Sequence, residues 1–113
     1  MITSTIINSG LDTSLYTSSG VNAITVMIFC NTATPNASDE TVNAVSLELH
    51  VVKGGVTVSN DNCIVKNLTV PAGETVFFDT ERLVLDDTDF VSGKLTAING
   101  TGSITATVST LTV

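Results

Sequence analysis

Apolar and polar residues alternate along most of this chain, and turn-forming residues cut the alternation into short pieces. In 44–53, Val45, Leu47, Leu49 and Val51 recur at every second position, with Ala44, Ser46, Glu48 and His50 between them. A period of two puts the two sets on opposite faces of a strand, so the pattern predicts one buried face and one wet face. In 22–30 both sets are largely apolar. Ile24, Val26, Ile28 and Cys30 share one parity, and Ala23, Thr25, Met27 and Phe29 share the other. Such a strand needs cover on both sides. In 103–113, Ile104, Ala106 and Val108 share a face, whereas Leu111 and Val113 have the opposite parity. A bulge, or a different packing partner for the last residues, accounts for the switch.

Turn chemistry supplies the punctuation. Ser9-Gly10, Ser19-Gly20, Thr34-Pro35-Asn36, Gly54-Gly55, Asn60-Asp61-Asn62, Pro71-Ala72-Gly73, Ser92-Gly93 and Asn99-Gly100-Thr101-Gly102 read as turns or breakers. Between them the sequence predicts strands at 2–7, 14–18, 22–30, 44–53, 63–70, 74–79, 82–85, 89–98 and 103–113. No window holds a helical period over three turns. Evenly spaced short strands predict an all-β fold: one antiparallel β-sandwich or jelly-roll-like barrel of about eight strands. The chain's 113 residues suit a single domain spanning 1–113. The segment 31–43, with Pro35, Asp39 and Glu40, is the longest polar loop.

Composition narrows the function. Val, Ile and Thr make up more than a third of the chain, as a β fold prefers. Hydrophobic residues reach 42% and charged residues only 13%, so a packed core is expected and disorder is not. Four Lys and Arg against 11 Asp and Glu leave a formal charge of −7. No basic patch can be assembled from this set, which argues against nucleic-acid and anionic-membrane partners. The stretch Met1 to Asn8 has no basic segment followed by an apolar run, so no signal peptide is read there. The longest apolar stretch, Val26 to Cys30, is too short to span a bilayer. Synthesis in a cytoplasm is the expectation. Cys30 and Cys63 permit one disulfide, but their spacing does not demand it, and two buried thiols are the simpler reading. The sequons at Asn36, Asn67 and Asn99 read as chance matches in a chain rich in Asn, Ser and Thr.

Candidate chemistry is sparse. His50, flanked by Glu48, falls on the polar face of its strand and reads as a solvent-facing histidine without a nucleophile. Asp86, Asp87 and Asp89 form the densest acidic group. They lack the sharp-turn glycine and distal acid of a calcium loop, so they read as hairpin carboxylates bonding local backbone. No Cys/His set has zinc spacing, and Gly54-Gly55 reads as a hairpin turn rather than a phosphate loop. No catalytic residue, cofactor or metal ligand is assigned. The aromatics are Tyr16, Phe29, Phe77, Phe78 and Phe90, with no Trp, which gives little support to a sugar-stacking platform. Adjacent Phe77 and Phe78 must face opposite sides of a strand, so one of them needs cover from outside its own layer.

The surplus of apolar strand surface therefore predicts association. Met27, Phe29, Phe77, Phe78, Leu111 and Val113 are the candidate interface residues. On this reading Met27→Ser weakens assembly more than monomer folding, whereas Leu49→Ala opens a core cavity costing about 2–5 kcal/mol.

Four stretches resemble small structural proteins of tailed bacteriophages. They are Leu15-Tyr16-Thr17-Ser18-Ser19-Gly20 followed by Ala23-Ile24-Thr25; Phe29-Cys30-Asn31-Thr32; Val65-Lys66-Asn67-Leu68-Thr69-Val70-Pro71-Ala72-Gly73-Glu74-Thr75; and Arg82-Leu83-Val84-Leu85 with Asp89 beyond it. The pattern covers most of the chain from residue 12 onward. Where such proteins often read Gly-Asp after the leucine pair, this chain has Thr88 before Asp89. The resemblance implies a non-enzymatic virion subunit with a β-sandwich fold, most simply a capsid decoration or cement protein. It would act through symmetric contacts with itself, as a trimer or another closed oligomer, and with other virion proteins such as the major capsid protein. A neck, tail or fibre component, including a host-glycan recognition module, is the alternative.

Overall fold

A computed structural model describes residues 1–79 and 83–113. Nine strands among them form two antiparallel sheets: β1 (Ile2–Ile7), β2 (Thr13–Thr17), β3 (Asn22–Asn31), β4 (Val45–Val52), β5 (Cys63–Val70), β6 (Thr75–Phe78), β7 (Leu83–Leu85), β8 (Phe90–Ile98) and β9 (Ile104–Thr112). Each predicted strand is found, with ends moved by a residue or two. Residue 82 of the predicted 82–85 strand lies outside the described residues.

The first sheet runs β1-β9-β3-β6, and the second runs β2-β8-β4-β5. Strand β7 shares the outer edge of β3 with β6: it pairs with Asn22–Ile24, and β6 pairs with Met27–Cys30. Most successive strands change sheet, β4–β5 and β6–β7 excepted, so the chain is laced across the sandwich in a jelly-roll manner. The two inner faces meet in one core that includes Ile7, Leu15, Met27, Phe29, Leu47, Leu49, Val91, Ile104 and Val108. The core packs directly on the backbone at Gly93 of β8. A Cβ there would sit 3.0 Å from Ile7 Cδ1 and 3.2 Å from Leu15 Cδ1, which is why the strand carries glycine at that point.

Strand β3 corrects the sequence expectation. Its pairing with β9 shifts between Ile24 and Val26, a bulge at Thr25, whose hydroxyl donates to the Ser109 carbonyl at 3.1 Å. One extra residue reverses the parity. Ile24 therefore faces inward together with Met27 and Phe29, which are 0% exposed, while Val26, Ile28 and Cys30 turn outward and are half-buried. Met27 and Phe29 are core residues rather than interface residues, and their cover is the opposite sheet rather than the 31–43 loop or a second subunit. The expected contrast for Met27→Ser falls with them. Strand β9 has no bulge of its own. Ile104, Ala106, Val108 and Thr110 face inward without interruption, so Leu111 lies on the outer face by simple alternation.

Asn31, at the end of β3, secures the long loop. Its side chain is fully buried and donates to the carbonyls of Asn43 and Val70, both at 2.9 Å, while it accepts from the Ala33 amide at 3.1 Å. Asn43 has a left-handed backbone, φ 62°, a conformation that asparagine tolerates. Its side-chain oxygen receives the Thr101 amide at 2.9 Å, tying the loop to the β8–β9 turn.

Candidate functional site

The two outer faces of the sandwich differ in chemistry. No residue of β1, β3, β6, β7 or β9 is Asp, Glu, Lys, Arg or His. Among the described residues, the strands of the first sheet thus present an outer face without an acidic, basic or histidine side chain. Cross-strand pairing arranges it in rows: Ile6, Thr105, Cys30 and Thr75; then Ser4, Thr107, Ile28 and Phe77; then Ile2, Ser109 and Val26; then Leu111, Ala23 and Val84. Phe77 is 65% exposed, Ile2 70%, Ile6 61%, Val84 59% and Leu111 53%. Single exposed apolar residues are ordinary on protein surfaces; a contiguous uncharged field of them marks an interaction site.

The predicted interface residues divide accordingly. Phe77, Leu111 and Val113 are exposed at this surface or its border. Phe78 stands across from Met27 on the inner face and packs, partly buried, against the core. Met27 and Phe29 are within the core. Ile2, Ile6, Val26, Ile28 and Val84 belong to the surface and were not singled out from the sequence. The absence of charge from whole strands was the signal that could have found them.

The second sheet carries its strand charges in one cluster. Glu48 and His50 of β4, Lys66 of β5 and Lys94 of β8 meet on its outer side. His50 is 1% exposed and Glu48 4%, which corrects the expected wet face. Burial comes from the chain between β4 and β5. A short 3-10 turn, Asn60–Asn62, is capped by Ser59 and delivers Asn62 onto the imidazole. The Asn62 side chain donates to the Thr57 carbonyl at 2.9 Å and accepts from the Ser59 amide at 3.1 Å, so its oxygen is fixed as an acceptor. His50 Nδ1 lies within hydrogen-bond distance of that oxygen at 2.9 Å, and Nε2 of Glu48 Oε2 at 2.7 Å. Lys66 Nζ lies 3.1 Å from Glu48 Oε1 and Lys94 Nζ 3.5 Å from Oε2. The His50 hydrogen bond holds the Glu48 carboxyl down to about 2, against the opposing effect of burial, with Lys66 and Lys94 assisting. Both ring nitrogens of His50 are taken up by partners within the protein, and the ring is buried, so neither nitrogen faces a substrate. The cluster satisfies and anchors the connection over β4 and β5.

The acidic turn spends its carboxylates on backbone. Asp87 Oδ1 accepts from the Gly20 amide at 2.8 Å; Asp89 accepts from Gly54 and Asp86 amides, both at 3.0 Å. These bonds hold the Asp89 carboxyl below its ordinary range. Thr88 adopts φ 72°, a left-handed conformation that glycine takes without strain. Among the described residues no three His, Cys, Asp or Glu converge as a metal-ligand group. Cys30 and Cys63 are unpaired and lie in different sheets, each partly buried. A depression of about 400 Å³ lies beside the long loop, walled by Ala44, Val45, Pro71, Ala97 and Ile98 with Glu40 and Asn99 at its rim; none of the residues lining it is aromatic. No described helix is long and apolar enough to cross a membrane.

No protein-family model matches this sequence, and no curated protein matches it. A solved structure does share its fold. A chain of the capsid of Ralstonia phage GP4 superposes with a TM-score of 0.53 at 14% identity, over 100% of this chain and 85% of that one. A structure described as Bacillus endospore appendages, a family of disulfide-linked pili, gives a TM-score of 0.47 at 15% identity, over 100% of this chain and 88% of that one.

Proposed function

We propose that this protein is a non-enzymatic structural subunit of a tailed-phage virion, a decoration or cement protein whose first-sheet outer face seats against other virion proteins such as the major capsid protein. The observation that carries the reading is the surface itself. A sheet whose five strands hold no Asp, Glu, Lys, Arg or His, exposing Ile2, Ile6, Phe77, Val84 and Leu111, is suited to burial against protein. The acidic groups are elsewhere: Asp12, Asp39, Glu40, Asp61, Glu74, Asp79, Asp86, Asp87 and Asp89 all lie between strands. They keep free subunits soluble. The fold shared with a phage capsid chain is consistent with this role. A neck or tail position would use the same face. A glycan-binding module would stack sugar on an aromatic wall, and neither the depression beside the long loop nor the larger, more polar one bordered by Lys53, Asp61 and Asn62 is lined by an aromatic residue.

Cryo-electron microscopy of the intact particle tests the proposal. Density for this chain on the shell, with its first sheet turned toward a neighbour, is the expected result. Absence of the chain from purified virions overturns it.

A further inference from the structure

Strand β1 is an unguarded sheet edge, and we infer that it pairs with β1 of a second copy about a two-fold axis. The inference rests on the virion-subunit reading for its purpose, but on separate observations for its geometry. Sheet edges are normally protected by charge, bulges, proline or brevity. Three of the four exposed edges here have such protection. Strand β5 carries Lys66 and two register shifts against β4; β2 is five residues long with a shift between Ser14 and Tyr16; β6 and β7 are four and three residues long. Strand β1 has six residues, Ile-Thr-Ser-Thr-Ile-Ile, and pairs with β9 one-to-one from Ile2 to Ile7 without a break. It contains no charge, proline or glycine.

The direction of its free backbone groups follows from the register. The Met1 amino group donates to the Thr110 carbonyl at 2.7 Å, and the Thr110 amide returns a bond to the Met1 carbonyl at 2.8 Å. Met1 and Thr110 are therefore a hydrogen-bonded pair, as are Thr3, Thr5 and Ile7 with their partners on β9. Ile2, Ser4 and Ile6 must point their N–H and C=O groups to the open edge, and their side chains stand on the uncharged outer face. An antiparallel second copy fits this edge in one centred register: Ile2 opposite Ile6 of the second copy, Ser4 opposite its own equivalent, and Ile6 opposite Ile2. That register closes about six backbone hydrogen bonds. It matches isoleucine to isoleucine and makes the two outer faces continuous. A charge of −7 drives copies apart, and no side chain of this edge from Ile2 to Ile7 adds to that repulsion. A strand-to-strand contact of this size buries less than the roughly 1,000 Å² of a stable dimer. The free pair is accordingly weak, and co-localisation on a shell strengthens it.

Hydrogen exchange by NMR on the full chain, measured across a dilution series with parallel sedimentation, tests the pairing. Protection of the Ile2, Ser4 and Ile6 amides should rise with concentration as a dimer forms, with a dissociation constant of about 1 mM or tighter. Ser4→Lys places two ammonium groups directly opposite and should weaken the dimer at least about tenfold without changing the melting temperature. Thr107→Lys, on the same face but away from the edge, should leave dimerisation intact. Concentration-independent exchange at these three amides overturns the inference, and so does a dimer broken by Thr107→Lys but not by Ser4→Lys. Cosedimentation of wild-type protein with intact particles reads the virion role separately: a monomer that still binds particles refutes the pairing and leaves that role standing.

Discussion

Ile28 and Phe77 stand opposite one another across β3 and β6 on the outer face of the first sheet, one residue along each strand from the inward pair Met27 and Phe78. Adjacent positions thus serve two purposes. The inner pair closes the monomer's core, and the outer pair lies on its uncharged surface.

Substitution should separate the two. Phe29→Ala should destabilise the monomer by about 3–5 kcal/mol and Leu49→Ala by about 2–5 kcal/mol, because both open cavities in the core. Phe77→Thr should change monomer stability by no more than about 0.5 kcal/mol, as exposed positions do, yet reduce retention on particles. Urea denaturation paired with particle cosedimentation reads both effects.

Glu48 gives the protein an acid limb. Its carboxyl is held at about 2 when folded, against an ordinary value of 4.5, so the folded state resists protonating it. The resulting stability is complete above about pH 4.5 and drains away as the pH falls toward 2. Glu48→Gln should lose about 1–3 kcal/mol at neutral pH. It should also flatten the decline of stability between pH 4.5 and 2, read as melting temperature against pH. Asp39 and Asp89 are also held below their ordinary range by local hydrogen bonds, so the variant keeps part of the slope. The difference between the two curves isolates Glu48.

Asn31→Ala should destabilise the fold by about 1–3 kcal/mol, because it strips the hydrogen bonds of the Asn43 and Val70 carbonyls. Exchange of the Ala33 amide should quicken in the same variant, since Asn31 is its acceptor.

Thr88 holds a left-handed backbone that a β-branched residue occupies only under strain. Thr88→Gly should therefore raise stability by up to about 1 kcal/mol. Gly54 packs so closely on Thr88 that a Cβ at 54 would collide with the Thr88 side chain. Gly54→Ala should destabilise the wild type, and by less in the Thr88→Gly background. A thermal-melt double-mutant cycle measures the coupling.

The strands were legible because a period of two and Gly/Pro/Asn turns are local signals. The inward face of β3 was not, since both of its parities are apolar and the decisive bulge at Thr25 is set by pairing with β9. The burial of Glu48 and His50 was hidden for a similar reason: it depends on Asn62, twelve residues beyond His50, folding back through the Ser59 cap. The excess of apolar strand surface was readable, but its address was not. Parity set Phe77 against Phe78 and separated Leu111 and Val113 from the Ile104 face without deciding which side is outside, whereas Ile2, Ile6 and Val84 emerge only when β1, β9, β3 and β7 are set side by side.

Hydroxyl-radical footprinting of the chain, free and on the assembled particle, tests the central claim most directly. Oxidation of Phe77, Ile2, Ile6 and Leu111 should drop sharply on assembly, while Ile64 and Val56, exposed side chains near the second sheet, stay reactive. Unchanged oxidation of the first four, with protection of Ile64 and Val56, would contradict it.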